Sequence, residues 1–233
     1  MKKSQKINAA IIYARKDSSR FPNKIFSEIS GYSILENILR RSKHLDVDLV
    51  IIATTNRKID DDIEIAVDEF KKSNVTNLYC FRGDALNLIK RTQQAIDHYS
   101  ISNFCRINGD SPFYPIKEIN SAFKMIKNDI KFINNIRFRS FPYGIAIEVL
   151  TSDFFIDSLQ NNQFIQNEHM TSHIYKKAKT NQEIILKNQY SDLSLEKLVV
   201  DTESDLKQIN FKVSQIDKMP WQIHYTDFYN EKN

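Results

Sequence analysis

Residues 14–24, ARKDSSRFPNK, follow the apolar run AAIIY and set Arg15, Lys16, Arg20 and Lys24 against a single acid, Asp17. Four cations packed this closely repel one another, so the loop favours an anion as its occupant. Arginine offers phosphate a planar fork and lysine offers it a point charge. Neither G-x-x-x-x-G-K-[ST] nor G-x-G-x-x-G is present. Anion binding would therefore fall to Arg15, Arg20 and Lys24, with backbone N–H groups and the Ser18 and Ser19 hydroxyls. A solvated basic loop is the alternative on charge alone; a position at the end of the first strand favours a ligand.

Two acids could complement these cations. RINGDSPF places Asp110 after a strand and a glycine, and LVVDTESDL places Asp201 between a strand and a helix. Carboxylates so placed suit a hard divalent cation such as Mg²⁺, which takes oxygen ligands and bridges phosphates. An aspartate in a turn before Pro112 is the ordinary alternative. His169 and His173 stand four apart in NEHMTSH, but H-E-x-x-H is absent and no third ligand accompanies them, which argues against zinc. Nucleophilic catalysis has no G-x-S-x-G, and neither cysteine has a basic neighbourhood beyond Arg106 beside Cys105.

These residues must be carried by elements with matching periodicity. INAAIIYA (7–14), DLVIIATT (48–55), NLYCF (77–81) and NFCRI (103–107) read as strands, the second buried on both faces. Helices are expected over 33–43, 59–72 and 85–99, and again where Ile116, Ile119, Phe123 and Ile126 form one stripe. This βα alternation implies a mostly parallel sheet with right-handed crossovers. Beyond residue 130, KFINNI, GIAIEVL, EIILK and KLVVD read as strands, and helices are expected over 152–159, over 166–178 and after a Thr202 cap. Residues 1–233 are expected to form one domain with a hairpin insertion around 131–150. In such an open sheet, ligands bind outside the carboxyl ends of the strands. That rule gathers 14–24, Thr54–Thr55, Arg82–Gly83 and Gly109–Asp110 on one rim.

The chain has 233 residues, 41% hydrophobic and 27% charged, which is ordinary for a globular protein. No apolar run approaches the roughly 18 residues of a membrane helix, and the basic N-terminus reads as the first strand, not a signal peptide. A net charge of +4 fits anionic small molecules at least as well as nucleic acid, which calls for a dense basic stripe. Cys80 and Cys105 lie in strand-like runs without a spacing motif, which fits a reducing cytoplasm. Only four glycines occur, so each is expected to meet a backbone need.

Taken in order, ARKDSSRFPNK, VIIATT, FRGD, RINGDSPF, FPYGIAIEVL, NEHMTSHIY and VVDTESDL resemble the sugar-acid cytidylyltransferases, the family of CMP-Kdo and CMP-sialic acid synthetases. The spore-coat polysaccharide branch is especially similar, and the likeness covers about residues 8–210. It implies a three-layer α/β/α nucleotide-diphospho-sugar transferase fold with a mostly parallel mixed sheet. It also implies a homodimer with residues 135–147 as candidate interface, where Phe138, Phe141 and Tyr143 look exposed. The implied reaction is attack by the anomeric hydroxyl of a 3-deoxy-2-ulosonic acid on the α-phosphate of CTP. The products would be a CMP-sugar for surface polysaccharide and pyrophosphate.

By resemblance, Arg15, Arg20 and Lys24 correspond to the triphosphate clamp, with Ala14 and Ser18 beside them. Asp110 and Asp201 correspond to Mg²⁺ ligands. Thr54, Arg82 and Arg106 fall on the nucleotide side or support it. Tyr143, Glu148, Glu168 and His169 fall on the sugar side, with His169 a second choice for general base after a metal-bound alkoxide. Two departures stand out: Asp17 and Asn23 occupy positions where the family has glycines. The alternatives are a nucleotidyltransferase for a sugar 1-phosphate or phosphonate, and a non-catalytic nucleotide-binding homologue. The tail MPWQIHYTDFYNEKN matches no family segment.

Overall fold

The computed structural model describes residues 6–74, 77–159, 171–189 and 191–229. Seven strands form the main sheet: β1 (Asn8–Tyr13), β4 (Leu49–Thr55), β5 (Leu78–Gly83), β6 (Asn103–Asn108), β7 (Phe132–Asn134), β8 (Glu148–Thr151) and β9 (Glu183–Ile185). A separate two-stranded ribbon joins β2 (Glu28–Ile29) to β3 (Tyr32–Ser33). The sheet order is β5-β4-β1-β6-β8-β7-β9. Only β8 runs against its neighbours; the remaining pairings are parallel.

Strand side chains alternate between two apolar layers. Ala10, Ile12, Val50, Ile52, Cys105 and Ile107 pack on one face with α1 (Ile34–Ser42), α2 (Asp61–Lys72), α4 (Ile116–Met125) and α7 (Glu203–Ser214). Ala9, Ile11, Ile51, Ala53 and Phe104 pack on the other with α3 (Leu88–Tyr99), α5 (Ser152–Leu159) and α6 (Ser172–Lys177). This is the expected three-layer α/β/α architecture. β1 and β4 are nearly continuous hydrophobic runs because helices cover both faces.

Three segments differ from expectation. KLVVD is extended and buried but joins no sheet: Leu198 N–H bonds Tyr143 O, and Val200 N–H bonds Asp110 O. Its apolar residues reflect burial beneath two loops. GIAIEVL pairs as a strand only from Glu148. Before that the Asn135 side chain bonds Ile145 O and Ile147 N–H, which takes the backbone out of the ladder. Phe141 is buried and packs on Tyr225, so only Phe138 and Tyr143 of the three aromatics are exposed. The 166–170 part of the expected helix lies outside the described residues.

Gly144 is where these loops meet. Its φ is +99°, and a Cβ there would stand 2.7 Å from Leu198 O and 2.9 Å from Val199 N. Gly144→Ala is predicted to destabilise the protein by about 1–3 kcal/mol through strain and overpacking. The measurement is the urea midpoint at constant slope; an unchanged midpoint would show that the 197–201 segment gives way freely.

Candidate active site

β1 delivers the basic loop to the carboxyl rim, where it folds around its own backbone. Ser18 N–H and Asn23 N–H both bond Lys16 O, and Lys16 N–H bonds the buried Asp60 carboxylate at 2.8 Å. Asn23 has φ 61°, the left-handed conformation that asparagine tolerates best among non-glycine residues after which Lys24–Phe26 turns as a short 3-10 helix. Asp17 does not take a positive φ. Its carboxylate lies 2.5 Å from Arg57 Nη2 and 3.7 Å from Arg15 Nε, so the extra acid in the loop is matched by an extra cation from the β4–α2 connection.

β6 ends at Asn108, and a Cβ on the following Gly109 would lie 2.5 Å from Tyr13 O. That close approach brings Asp110 beside the loop. Lys24 Nζ bonds Asp110 Oδ2 at 2.8 Å, Val200 O at 3.0 Å and Asp201 Oδ1 at 3.4 Å. Arg20 Nη2 reaches Asp201 at 3.2 Å. One ammonium thus draws together segments separated by more than 170 residues. Asp201 is held in turn by α7's capping box, in which Asp205 accepts the N–H of Asp201 and of Thr202 at 2.9 Å each.

These groups line a cleft of about 970 Å³. Arg106 and Glu148 lie at its base, with Nη1 to Oε2 at 2.6 Å, and Tyr175 O–H donates to Glu148 Oε1 at 2.8 Å. Burial opposes charge on Arg106, but the Glu148 carboxylate outweighs it and raises the guanidinium above its usual value. Burial likewise raises the Tyr175 phenol, which stays a neutral donor. Among the described residues, seven cations line the cleft (Arg15, Arg20, Lys24, Arg57, Arg91, Arg106 and Arg139) against the acids Asp17, Asp110, Glu148 and Asp201.

Of the residues singled out in the sequence, Ala14, Arg15, Ser18, Arg20, Lys24, Arg106, Asp110, Tyr143, Glu148 and Asp201 come together here. Thr54 is buried off the cleft. Arg82 is taken up by Asp61 and Glu64 of α2 and by the carbonyls of Thr55 and Arg57, so it shapes the loop that carries Arg57. Glu168 and His169 lie outside the described residues. Arg57, Arg91, Arg139 and Tyr175 were not singled out. Arg57 follows a strand end and obeys the rim rule, whereas Arg91 and Tyr175 sit on helices with no local signal.

Asp110, Asp201 and the Val200 carbonyl are hard oxygen donors already gathered around a cation, the Lys24 ammonium, so the set fits Mg²⁺. Among the described residues no three His, Cys, Asp or Glu side chains cluster as a metal cage. Mg²⁺ needs none, because it keeps waters and takes phosphate oxygens alongside one or two carboxylates.

The mostly parallel mixed sheet matches nucleotidyltransferase-like α/β folds among solved structures. A solved cytidylyltransferase from Leptospira borgpetersenii superposes with TM-score 0.84 at 26% identity, over 97% of this chain and 93% of that one. The chain belongs to the cytidylyltransferase family, whose model matches residues 9–222. The uncharacterized protein MJ1063 of Methanocaldococcus jannaschii is 30% identical over 84% of this chain and 79% of its own length. The 3-deoxy-manno-octulosonate cytidylyltransferase of Sodalis glossinidius is 30% identical over 109 residues, 46% of this chain and 40% of that enzyme. No helix among the described residues is long and apolar enough to cross a membrane.

Burial would raise the Asp205 carboxyl, but hydrogen bonds from Lys197, the Asp201 N–H and Thr202 hold it below the usual carboxylate range. A carboxyl depressed in the folded state stabilises above its unfolded value, near about 3.9, and that contribution fades as pH falls through the lower folded value. Asp205→Ala is therefore predicted to cost about 1 kcal/mol at pH 7 by loss of the hydrogen bonds its carboxylate accepts, with the deficit shrinking below about pH 4. Urea unfolding across this range checks it; an equal deficit at pH 7 and pH 3 would rule out the carboxylate charge as the source.

Proposed function

We propose that this cytidylyltransferase activates a 3-deoxy-2-ulosonic sugar acid, Kdo-like or nonulosonic, with CTP in a Mg²⁺-dependent reaction that releases pyrophosphate. The observation that supports the reading is the Lys24 ammonium bridging Asp110 and Asp201, an ammonium suited to phosphate and two carboxylates suited to a divalent cation at one point of one cleft. Arg15, Arg20 and Lys24 would hold the triphosphate, Lys24 exchanging its carboxylate contacts for phosphate oxygens. Asp110 and Asp201 would hold the metal, which when bound neutralises phosphate charge and polarises the α-phosphate. Transfer of a phosphoryl group depends mainly on such positioning and charge stabilisation, so no covalent catalyst is required of the chain.

The cleft cations outside the basic loop support an anionic acceptor. Arg139 lies against Tyr143, its guanidinium 5.1 Å from the ring centre, and Arg106 lies beside Glu148 and Tyr175. A sugar carboxylate suits the guanidinium groups, while Glu148 and Tyr175 suit hydroxyls. By family resemblance the enzyme would work in the cytoplasm as a homodimer contacting through residues 135–147, in surface polysaccharide synthesis.

Purified protein with CTP, Mg²⁺ and a panel of Kdo and nonulosonic acids is predicted to release pyrophosphate. Asp110→Ala and Asp201→Ala are each predicted to lower that rate at least about 100-fold, the scale of removing a charge-stabilising group, while the thermal transition stays cooperative. Silence of the wild-type protein across the panel, with turnover on sugar 1-phosphates instead, would refute the sugar-acid assignment.

A further inference from the structure

The family match ends at residue 222, yet the residues beyond it are built into the support of the site. Two 3-10 turns, Pro220–Gln222 and Tyr225–Phe228, run across α1 and the loop that follows Asp110. The Phe228 ring meets the buried Phe113 edge to face at 4.9 Å. His224 lies 3.2 Å from Glu118 on the first turn of α4, where the same loop ends. Tyr225, itself buried, packs on Phe141, two residues before Tyr143 of the cleft wall.

Arg41 of α1 joins these parts. It is 1% exposed and bonds main-chain carbonyls on both sides: Tyr114 O at 2.8 Å and Phe113 O at 3.5 Å, then Trp221 O at 3.0 Å and Ile223 O at 2.8 Å. Its guanidinium also lies over the Tyr114 ring, whose O–H donates to Ile38 O. A guanidinium has five N–H donors in a rigid fork and can therefore fix four carbonyls relative to one another. Burial pulls Arg41 down to about 10, which leaves it charged at neutral pH. Placing this charge in the interior is costly unless its hydrogen bonds are met, so the two carbonyl pairs are tied to the same geometry.

We infer that residues 218–229 form a strap that sets the position of the Asp110 loop, and that Arg41 is the positioning residue that couples strap to loop. The inference rests on the metal-binding role proposed for Asp110. The strap contacts the Asp110 loop, α1, α4 and Phe141, and also Tyr32 of β3 through Trp221 and Lys212 of α7 through Tyr229; none of these contacts falls on residues 14–24, which carry Arg15, Arg20 and Lys24. Loosening the strap should therefore spare contacts to CTP alone and weaken those made through Asp110.

The test is calorimetric titration of CTP, once in EDTA and once in Mg²⁺, on the full-length wild-type protein, Asp110→Ala, Arg41→Lys and Phe228→Ala. Folding of each is checked by its thermal transition. The wild-type protein is expected to bind CTP more tightly with Mg²⁺, and Asp110→Ala to lose that gain. Arg41→Lys and Phe228→Ala are expected to keep their metal-free affinity but to lose about 10-fold of the Mg²⁺-dependent gain, as outer-shell changes at metal sites do. Amide exchange at residues 110–114 should rise in both. A role in overall stability alone would leave the Mg²⁺ gain intact. Should Arg41→Lys not fold, Phe228→Ala carries the test, since it removes only one partly exposed ring. Retention of the gain in the strap variants with its loss in Asp110→Ala overturns the strap alone. Retention in Asp110→Ala, or no gain in the wild-type protein, overturns the metal role of Asp110 and the strap with it.

Discussion

The Lys24 ammonium, shared between Asp110, Asp201 and the Val200 carbonyl, is the contact on which the remaining geometry depends. Each partner reaches it by a separate device: a left-handed asparagine before Lys24, a glycine against the β1 backbone before Asp110, and a helix cap behind Asp201. All three side chains are largely shielded from water, so their attraction is stronger than that of surface pairs. The same shielding makes the cluster responsive to what enters it, because any anion would compete for the ammonium and any cation for the carboxylates.

Around this point the charges are arranged in matched steps. Asp17 would weaken an anion site if it stood alone, but Arg57 faces it and Arg15 lies nearby. Arg57 is itself held in a connection that Arg82 pins to α2. The two positions at which the resemblance places glycines are accommodated by different means. Asn23 supplies the left-handed turn, and Asp17 supplies an ion pair to a neighbouring connection.

Much of this was legible in the sequence where one physical requirement dominates a segment. β1 and β4 had to be apolar on both faces, and the residues after each strand had to line the rim. Thr202 as a cap followed from its place before an acidic first turn. KLVVD misled because burial and strand pairing leave the same composition, and only its hydrogen bonds to the 110 and 143 loops tell them apart. Arg91 and Tyr175 were hidden because a helix position facing a cleft looks like any other until the helix is docked. Arg41 was invisible for a related reason: its partners are main-chain carbonyls, which every residue has.

The separation of these partners along the chain has a consequence for biosynthesis. Lys24 waits for Asp201, 177 positions later, and Arg41 waits for Ile223, 182 positions later. Contacts that distant form late, since the intervening chain must be ordered before they are rewarded. A nascent polypeptide that has emerged through β6 already displays Arg15, Arg20 and Lys24 at the end of β1, without the carboxylate of Asp201. During that interval the basic loop lacks the carboxylate that pairs with Arg20 and Lys24 in the finished fold, so its cations repel one another until the last third of the chain arrives.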